Sequence, residues 1–426
     1  MHVAVVGAGL TGCLLACYLA RRGYEVTLYE RRPDPREGGA ERGRSINLAI
    51  SARGRDALRR IGLEEKVMAG ALPMRGRMIH PVDGPLDFQS YSHDGTAAIN
   101  SISRAALNDT LLDAAEAAPG VKILFGHRLT GLDPASGELT FDTGTARADV
   151  ILGADGAASV VRAHIKLDEH VDLLDHGYKE LTIPAVDGEF ALDPGALHIW
   201  PRGDSMMIAL PNPDRTFTCT LFWPKRAFAE VEPVVVEHFR AVYPDVVPLV
   251  PDLAEAYPRN PVGTLGTVRC TPWQRGGRVA LIGDAAHAIV PFYGQGANCG
   301  FEDVVELDRC LEETGGDWAR ALPLLEERRR PNTDAIAAMA LNNFVEMRDK
   351  VASPLFRAVR TLEHRLEDLL PGVYVSEYEL VSFSTLPYAR VRGRVRWQRR
   401  ALAGAAALLL TGLAAALATT RRRPSG

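Results

Sequence analysis

The chain is poor in the residues and patterns that mark many protein classes. Its six cysteines, Cys13, Cys17, Cys219, Cys270, Cys299 and Cys310, form no C-x-x-C pair and no Cys/His cluster at metal-binding spacing. Neither a disulfide framework nor a metal site is therefore expected, and reduced, buried thiols in a cytoplasmic protein are the simple reading. Basic residues do not outnumber acids: the formal net charge is −4, which argues against a nucleic-acid partner. The apolar N-terminal run has no basic segment or cleavage site before or after it, so no signal peptide is expected. Aromatics make up only 7% of a chain of 426 residues, a composition and length that suit a soluble α/β protein of two or three domains.

What is present centres on two stretches. The first is RVALIGDAAHAIVPFYGQGANCGFED, Arg278 to Asp303. It reads as a buried strand to Ile282, a Gly-Asp turn that leaves Asp284 at a strand's carboxyl end, then a polar loop punctuated by Gly294, Gly296 and Gly300. Ligands of open α/β sheets bind at that end of the strands, glycines let backbone N–H groups approach them, and a helix starting near Asn298 points its positive end there. The second stretch is the N-terminus: an apolar strand from His2 to Val6, then GAGLTG, a helical pattern to Arg22, and an alternating strand that ends on Glu30. This is a dinucleotide fingerprint in its proper context. Gly7 makes the tight turn, Gly9 admits a pyrophosphate, Gly12 permits close helix–strand packing, and Glu30 receives ribose hydroxyls.

A third apolar strand, Val150 to Leu152, ends in Gly153-Ala154-Asp155-Gly156. Three such ends, at Gly7, Asp155 and Asp284, can converge on one large dinucleotide. Between them the sequence predicts a strand over 43–51, a helix over 52–61, strands within 71–99, a helix after the cap Ser103, one strand over 121–132 and a hairpin near Ser136-Gly137. Residues 166–268 are strand-rich and read as an inserted antiparallel sheet with a helix over 233–240. From Val304 to about Leu369 the chain is helical, and 380–383 reads as a short strand or irregular segment. The fold class is thus α/β, with a Rossmann-like cofactor domain (1–70, 100–165, 269–330), an inserted antiparallel-sheet substrate domain (71–99, 166–268) and a C-terminal helical region (331–400). Residues 401–419 carry no charge, are mostly Ala and Leu, and lie between basic flanks. Their length suffices to span a bilayer, but alanine is weakly apolar, so a helix lying on the membrane or packed on the protein are the alternatives; membrane contact is the expectation. His287 invites a catalytic role, but a histidine at a loop or helix start is more often structural, and it is assigned no proton transfer.

GAGLTG with Glu30, the GADG segment with Arg162, and GDAAH with GQGxN resemble the FAD-dependent aromatic hydroxylases related to 4-hydroxybenzoate hydroxylase. Within that group GRSINLAIS (43–51), GRMIH (76–80), SISRAALN (101–108), LHIWPRG (197–203), FTCTLF (217–222), HAIVPFYGQGANCGFED (287–303) and NNFVEMR (342–348) are similar to the kynurenine 3-monooxygenase family, from the N-terminus to about Arg400. The resemblance implies tightly bound, non-covalent FAD and transient NADPH; with no second G-x-G-x-x-G after a strand, no separate nicotinamide domain is expected. It implies NADPH- and O2-dependent hydroxylation of L-kynurenine to 3-hydroxykynurenine through a flavin C4a-hydroperoxide, the alternative being another small aromatic acid. Besides Gly7, Gly9, Gly12 and Glu30, it places Ala49, Arg104, Leu129, Asp155, Asp284, Gly296, Ala297 and Asn298 at flavin-contact positions. It assigns Arg77 and Tyr91 to the substrate carboxylate, and Asn343, Tyr378, Glu346 and Met347 to the rest of the pocket. A guanidinium matches a carboxylate through two parallel hydrogen bonds. The chain departs from the family pattern at Tyr293, Ala297 and Cys299, all near the flavin.

Overall fold

The computed structural model describes residues 1–37, 47–92, 94–165, 167–350, 353–370 and 372–420. Strand His2–Val6 is β-branched and buried on both faces, as a central parallel strand must be. It lies inside a six-stranded sheet whose spatial order is Gln274–Arg275, Val279–Leu281, Val150–Gly153, His2–Val6, Glu25–Tyr29 and Val121–Leu124. All neighbours are parallel except the 274–275 edge pair. The three strands ending at Gly7, Asp155 and Asp284 are thus direct neighbours, and their carboxyl ends open on one edge.

Helix Leu10–Arg21 covers this sheet and buries Cys13, Leu14 and Cys17 against it. The approach is close enough that a Cβ on Gly12 would lie 1.9 Å from the Gly7 carbonyl oxygen. Gly7 itself has φ +101°, and a Cβ there would lie 2.5 Å from the Ala154 oxygen. Both positions therefore exclude side chains.

The second large sheet has seven strands in the order Gly263–Thr271, Asp168–Ile183, Phe217–Pro224, Ser205–Pro211, Ala196–Arg202, Gly76–Ile79 and Asp87–Ser90. Alternation sorts its residues onto two faces. Trp200, Met207, Ala209, Cys219, Leu221 and Trp223 pack with Phe239, Tyr243 and Tyr257 on the outer side. Arg77, Leu197, Met206, Ile208, Leu210, Thr220 and Phe222 face inward toward the cofactor sheet. Helix Trp318–Val345 and helix Glu377–Ser382 close the remaining side.

Several local expectations are corrected. The single strand over 121–132 is two: Val121–Leu124 ends the parallel sheet, and Leu129–Asp133 opens a three-stranded antiparallel sheet with Glu138–Phe141 and Gly144–Arg147. Gly126, at φ +70°, redirects the chain between them. Residues 380–382 belong to a helix, Glu377–Ser382, with Phe383 as its C-cap, and the Ser376 side chain at its start accepts a hydrogen bond from the Glu379 N–H. The helix over 233–240 is preceded by a short 3-10 turn, Glu232–Val234, around Pro233. The long helical stretch from 304 is broken after Val345 by a π-helical turn, Glu346–Lys350. Of the strand over 43–51 only Leu48–Ile50 is seen, and 43–46 lie outside the described residues. The uncharged tail 401–419 continues a helix that begins at Tyr388 and runs to Thr420, but most of its side chains lie outside the described set. Among the described residues no helix is long and apolar enough to cross a membrane, so the spanning alternative gains no support from the fold.

Candidate active site

A cavity of about 520 Å³ runs between the two large sheets. At one end are the glycine turn and Glu30. Gly9 faces open space: nothing lies within 4 Å of where its Cβ would be. It caps helix Leu10–Arg21, whose free N–H groups and positive end point into the gap. Glu30 accepts hydrogen bonds from the Ala8 N–H at 3.0 Å and from the Arg32 Nε at 2.8 Å. Burial works against its charge, but these bonds and the Arg32 guanidinium outweigh it and hold the carboxyl below its ordinary range. An ionised acceptor beside a side-chain-free cradle fits a ribose and a pyrophosphate.

Asp155 lines the same cavity, yet its carboxylate is already used. It accepts from Ser159 Oγ at 2.6 Å and from the Val160 N–H at 2.7 Å, so it shapes the GADG turn and starts helix Val160–His164. Asp284 differs. Its side chain is exposed to the cavity, and desolvation there pushes its carboxyl above the usual carboxylate range. It is an acceptor waiting for ligand hydroxyls. Ala49, Arg104, Leu129, Gly296 and Ala297 also lie on this wall.

Gly12 and Asn298 stand behind it. Asn298 is fully buried; its amide donates to the Ala49 and Gly294 carbonyls at 2.8 Å each, and its oxygen accepts from the Ser51 N–H at 3.0 Å. It thus ties the glycine loop to strand Leu48–Ile50. Beneath Asp284, buried Asp303 accepts from the Gly283 N–H at 2.9 Å, from Arg329 Nε at 2.7 Å and from His287 Nε2. Burial opposes charge on His287, but Asp303 prevails and holds the imidazole well above its ordinary range. Folding brings His287, Cys299 and Asp303 within 4.8 Å of one another, which spacing in the chain did not indicate. The Arg329 guanidinium already supplies the countercharge to Asp303 there.

At the far end, strand Gly76–Ile79 turns Arg77 inward, 3% exposed. Its guanidinium carbon lies 4.7 Å from the Tyr378 ring centre. Tyr378 stacks on Tyr91 at 4.8 Å and on Tyr293 at 5.6 Å. Glu346 approaches Arg77 only to 3.9 Å. Among the described residues, Arg77 Nε and the Tyr91 hydroxyl are buried without a hydrogen-bond partner. Native proteins rarely tolerate that, and two such groups side by side in a cavity mark a missing polar ligand. The pocket between this end and the flavin end is walled by Met74, Met206, Leu210, Phe222, Phe292 and Met347. Asn343 does not reach the wall: its amide donates to the Phe292 carbonyl at 2.6 Å and holds that loop in place.

Reasoning from sequence missed the inward residues Met206, Leu210 and Phe222, because both faces of these strands are apolar and no alternation singles them out. It also missed Arg53, Gln295 and Tyr388, whose buried contacts have no sequence signal.

A glycine cradle, a ribose acceptor and a closed apolar pocket beside them define an FAD-dependent monooxygenase. The FAD binding domain family matches residues 1–338. A kynurenine 3-monooxygenase of Myxococcus xanthus is 50% identical over 404 residues, covering 91% of this chain and 86% of that protein. The kynurenine 3-monooxygenase of Stenotrophomonas maltophilia is 46% identical over 419 residues, covering 95% and 92%. The chain belongs to this family, the kynurenine 3-monooxygenases of the FAD-binding-domain group. Among solved structures, 2-methyl-3-hydroxypyridine-5-carboxylic acid oxygenase superposes with a TM-score of 0.70 at 25% identity, over 84% of this chain and 95% of that one. The Pseudomonas aeruginosa protein PqsL, solved with 2-aminobenzoylacetate, shares the fold at 21% identity and TM-score 0.67, over 82% of this chain and 97% of its own.

Proposed function

We propose that this protein hydroxylates L-kynurenine to 3-hydroxykynurenine, with FAD as resident cofactor and NADPH and O2 as co-substrates. The observation that carries the reading is the pair of unpartnered buried groups, Arg77 Nε and the Tyr91 hydroxyl, in an otherwise apolar pocket next to the dinucleotide cradle. An amino-acid carboxylate fills that gap with two guanidinium bonds and one phenol bond. Tyr378 flanks it, and Glu346 stands 3.9 Å from Arg77.

FAD held here would supply NADPH-dependent oxygen activation for hydroxylation of the ring. The chain's own work is binding, orientation and shielding. Gly7, Gly9 and Glu30 seat the adenosine diphosphate end; Asp284, Gly296 and Ala297 meet the ribityl chain and ring. Met206, Leu210, Phe222 and Phe292 grip the aromatic ring of the substrate and fix which ring carbon faces the flavin. The same apolar walls keep water out, which favours hydroxylation over peroxide release.

The test is NADPH consumption by FAD-loaded protein with and without L-kynurenine, with the product identified by mass. Acceleration by kynurenine and a product one oxygen heavier support the assignment. NADPH consumption that yields peroxide alone overturns the substrate and leaves the flavin chemistry, with another small aromatic acid as the second reading.

The uncharged segment 401–419, between Arg400 and Arg421, supports contact with a membrane surface. Removing 401–426 is expected to abolish co-sedimentation with anionic vesicles, and equal sedimentation of both forms would refute the contact.

A further inference from the structure

We propose that Tyr388 is a positioning residue for the flavin loop, and that residues 376–391 form a strap joining the substrate end of the cavity to the cofactor end. The inference rests on the flavin reading above. Tyr388 is fully buried at the start of the last helix. Its hydroxyl donates to Gln295 Oε1 at 2.9 Å. Gln295 is itself 2% exposed and sits between Gly294 and Gly296, both on the cavity wall. The other contact to that oxygen, from Ser51 Oγ, is long at 3.4 Å. Glycines on both sides leave the loop little conformational preference of its own, with Gly294 at φ +64°. The tyrosine hydroxyl is therefore the side-chain constraint on Gln295, beside the Asn298 amide on the Gly294 carbonyl and the Cys299 N–H on the Gln295 carbonyl.

Arg53 locks the strap in turn. It is 1% exposed, and its guanidinium carbon lies 3.8 Å from the Tyr388 ring centre. It donates to the Val381 carbonyl at 3.0 Å and to the Leu386 carbonyl at 2.5 Å, and it pairs with Glu302 at 2.5 Å. Glu302 also meets Arg329, which holds Asp303 beneath Asp284. A buried arginine bound by the strap's own carbonyls fixes residues 380–388 as a unit. The same strap carries Tyr378, which stands over Arg77. One continuous segment thus carries both Tyr378, at the substrate end, and Tyr388, at Gln295.

The experiment is a double-mutant cycle of Tyr388→Phe and Gln295→Ala, read by FAD titration through fluorescence quenching and by the flavin absorption envelope. Tyr388→Phe removes only the hydroxyl and keeps the ring under Arg53. The expected result is an FAD dissociation constant about 3- to 10-fold higher, a changed absorption envelope, and a larger share of NADPH ending as peroxide. The double variant is expected to bind FAD no more weakly than Gln295→Ala alone, because the two side chains act through one bond. An unchanged affinity and envelope in Tyr388→Phe, or strictly additive losses, overturn the proposal and leave Tyr388 as core packing. A wild-type protein that binds no FAD overturns this inference and the flavin reading together. FAD binding without kynurenine turnover removes only the substrate assignment, and the cycle still decides the role of Tyr388.

Discussion

At the scale of single residues the site is written in groups that the protein alone leaves unsatisfied. A buried hydroxyl without a partner costs about 1–3 kcal/mol, so its removal stabilises the empty protein while weakening the ligand it was meant for. Tyr91→Phe is accordingly expected to raise the stability of substrate-free protein by about 1 kcal/mol in urea titrations and to raise the KM for kynurenine about 10-fold. A lower stability together with an unchanged KM would make Tyr91 a packing residue. Asp284 obeys the same logic, because burial disfavours its charge until ligand hydroxyls reach it. Asp284→Asn should raise the unfolding midpoint of FAD-free protein and weaken FAD binding at least about 10-fold by equilibrium dialysis. Arg77 was legible through GRMIH (76–80), and Tyr91 only through the family resemblance. Arg53 was not, since its role depends on carbonyls at 381 and 386 that only the fold brings to it.

At the scale of elements, the three Gly/Asp strand ends were readable from the sequence, and their adjacency in one sheet follows from parallel α/β topology. The helix–strand contact at Gly12 is the tightest point of that arrangement. Gly12→Ala puts a Cβ 1.9 Å from a backbone oxygen, so strand and helix must separate. An expected loss of about 3 kcal/mol or more, with FAD content falling in step, is checked by urea unfolding and by flavin absorbance per protein. Retention of full FAD content would show that the turn has slack. The cluster under the Gly-Asp turn joins a different pair of elements. Asp303→Asn leaves buried His287 without its anion and Arg329 with Glu302 alone, and about 3–5 kcal/mol of stability is expected to go with it. The break at Gly126 had a local signal, a glycine followed by His127 and Arg128 inside a strand-like run, but the sequence does not show that the two halves enter different sheets.

At the scale of the whole molecule, stability depends on which groups hold protons in the folded chain. His198 is 2% exposed, and burial lowers its imidazole to about 4. The hydrogen bond to the Asp193 carbonyl opposes the shift, and burial outweighs it. Nε2 meets the Asp193 carbonyl and must carry a hydrogen, and so the neutral ring presents a bare Nδ1 to His80 Nε2 at 2.9 Å. Asp245, which accepts from His80 and from Trp200 Nε1, is held below its ordinary range: burial opposes this, but its hydrogen bonds prevail. The signs agree. The unfolded chain takes up protons on His198 from about pH 6.5 downward, whereas the folded chain resists until about 4, so stability falls as the pH drops through that window. Asp245 and Asp303, both with lowered carboxyls, add further loss at still lower pH. The His198 contribution between pH 7 and pH 5 is about 2 kcal/mol. His198→Gln can donate to Asp193 and accept from His80 without titrating. Urea midpoints of the two proteins measured from pH 7 to pH 5 should therefore diverge, with the wild type falling more steeply; parallel curves would mean that the buried pair does not govern the acid limb, and that the carboxylates do.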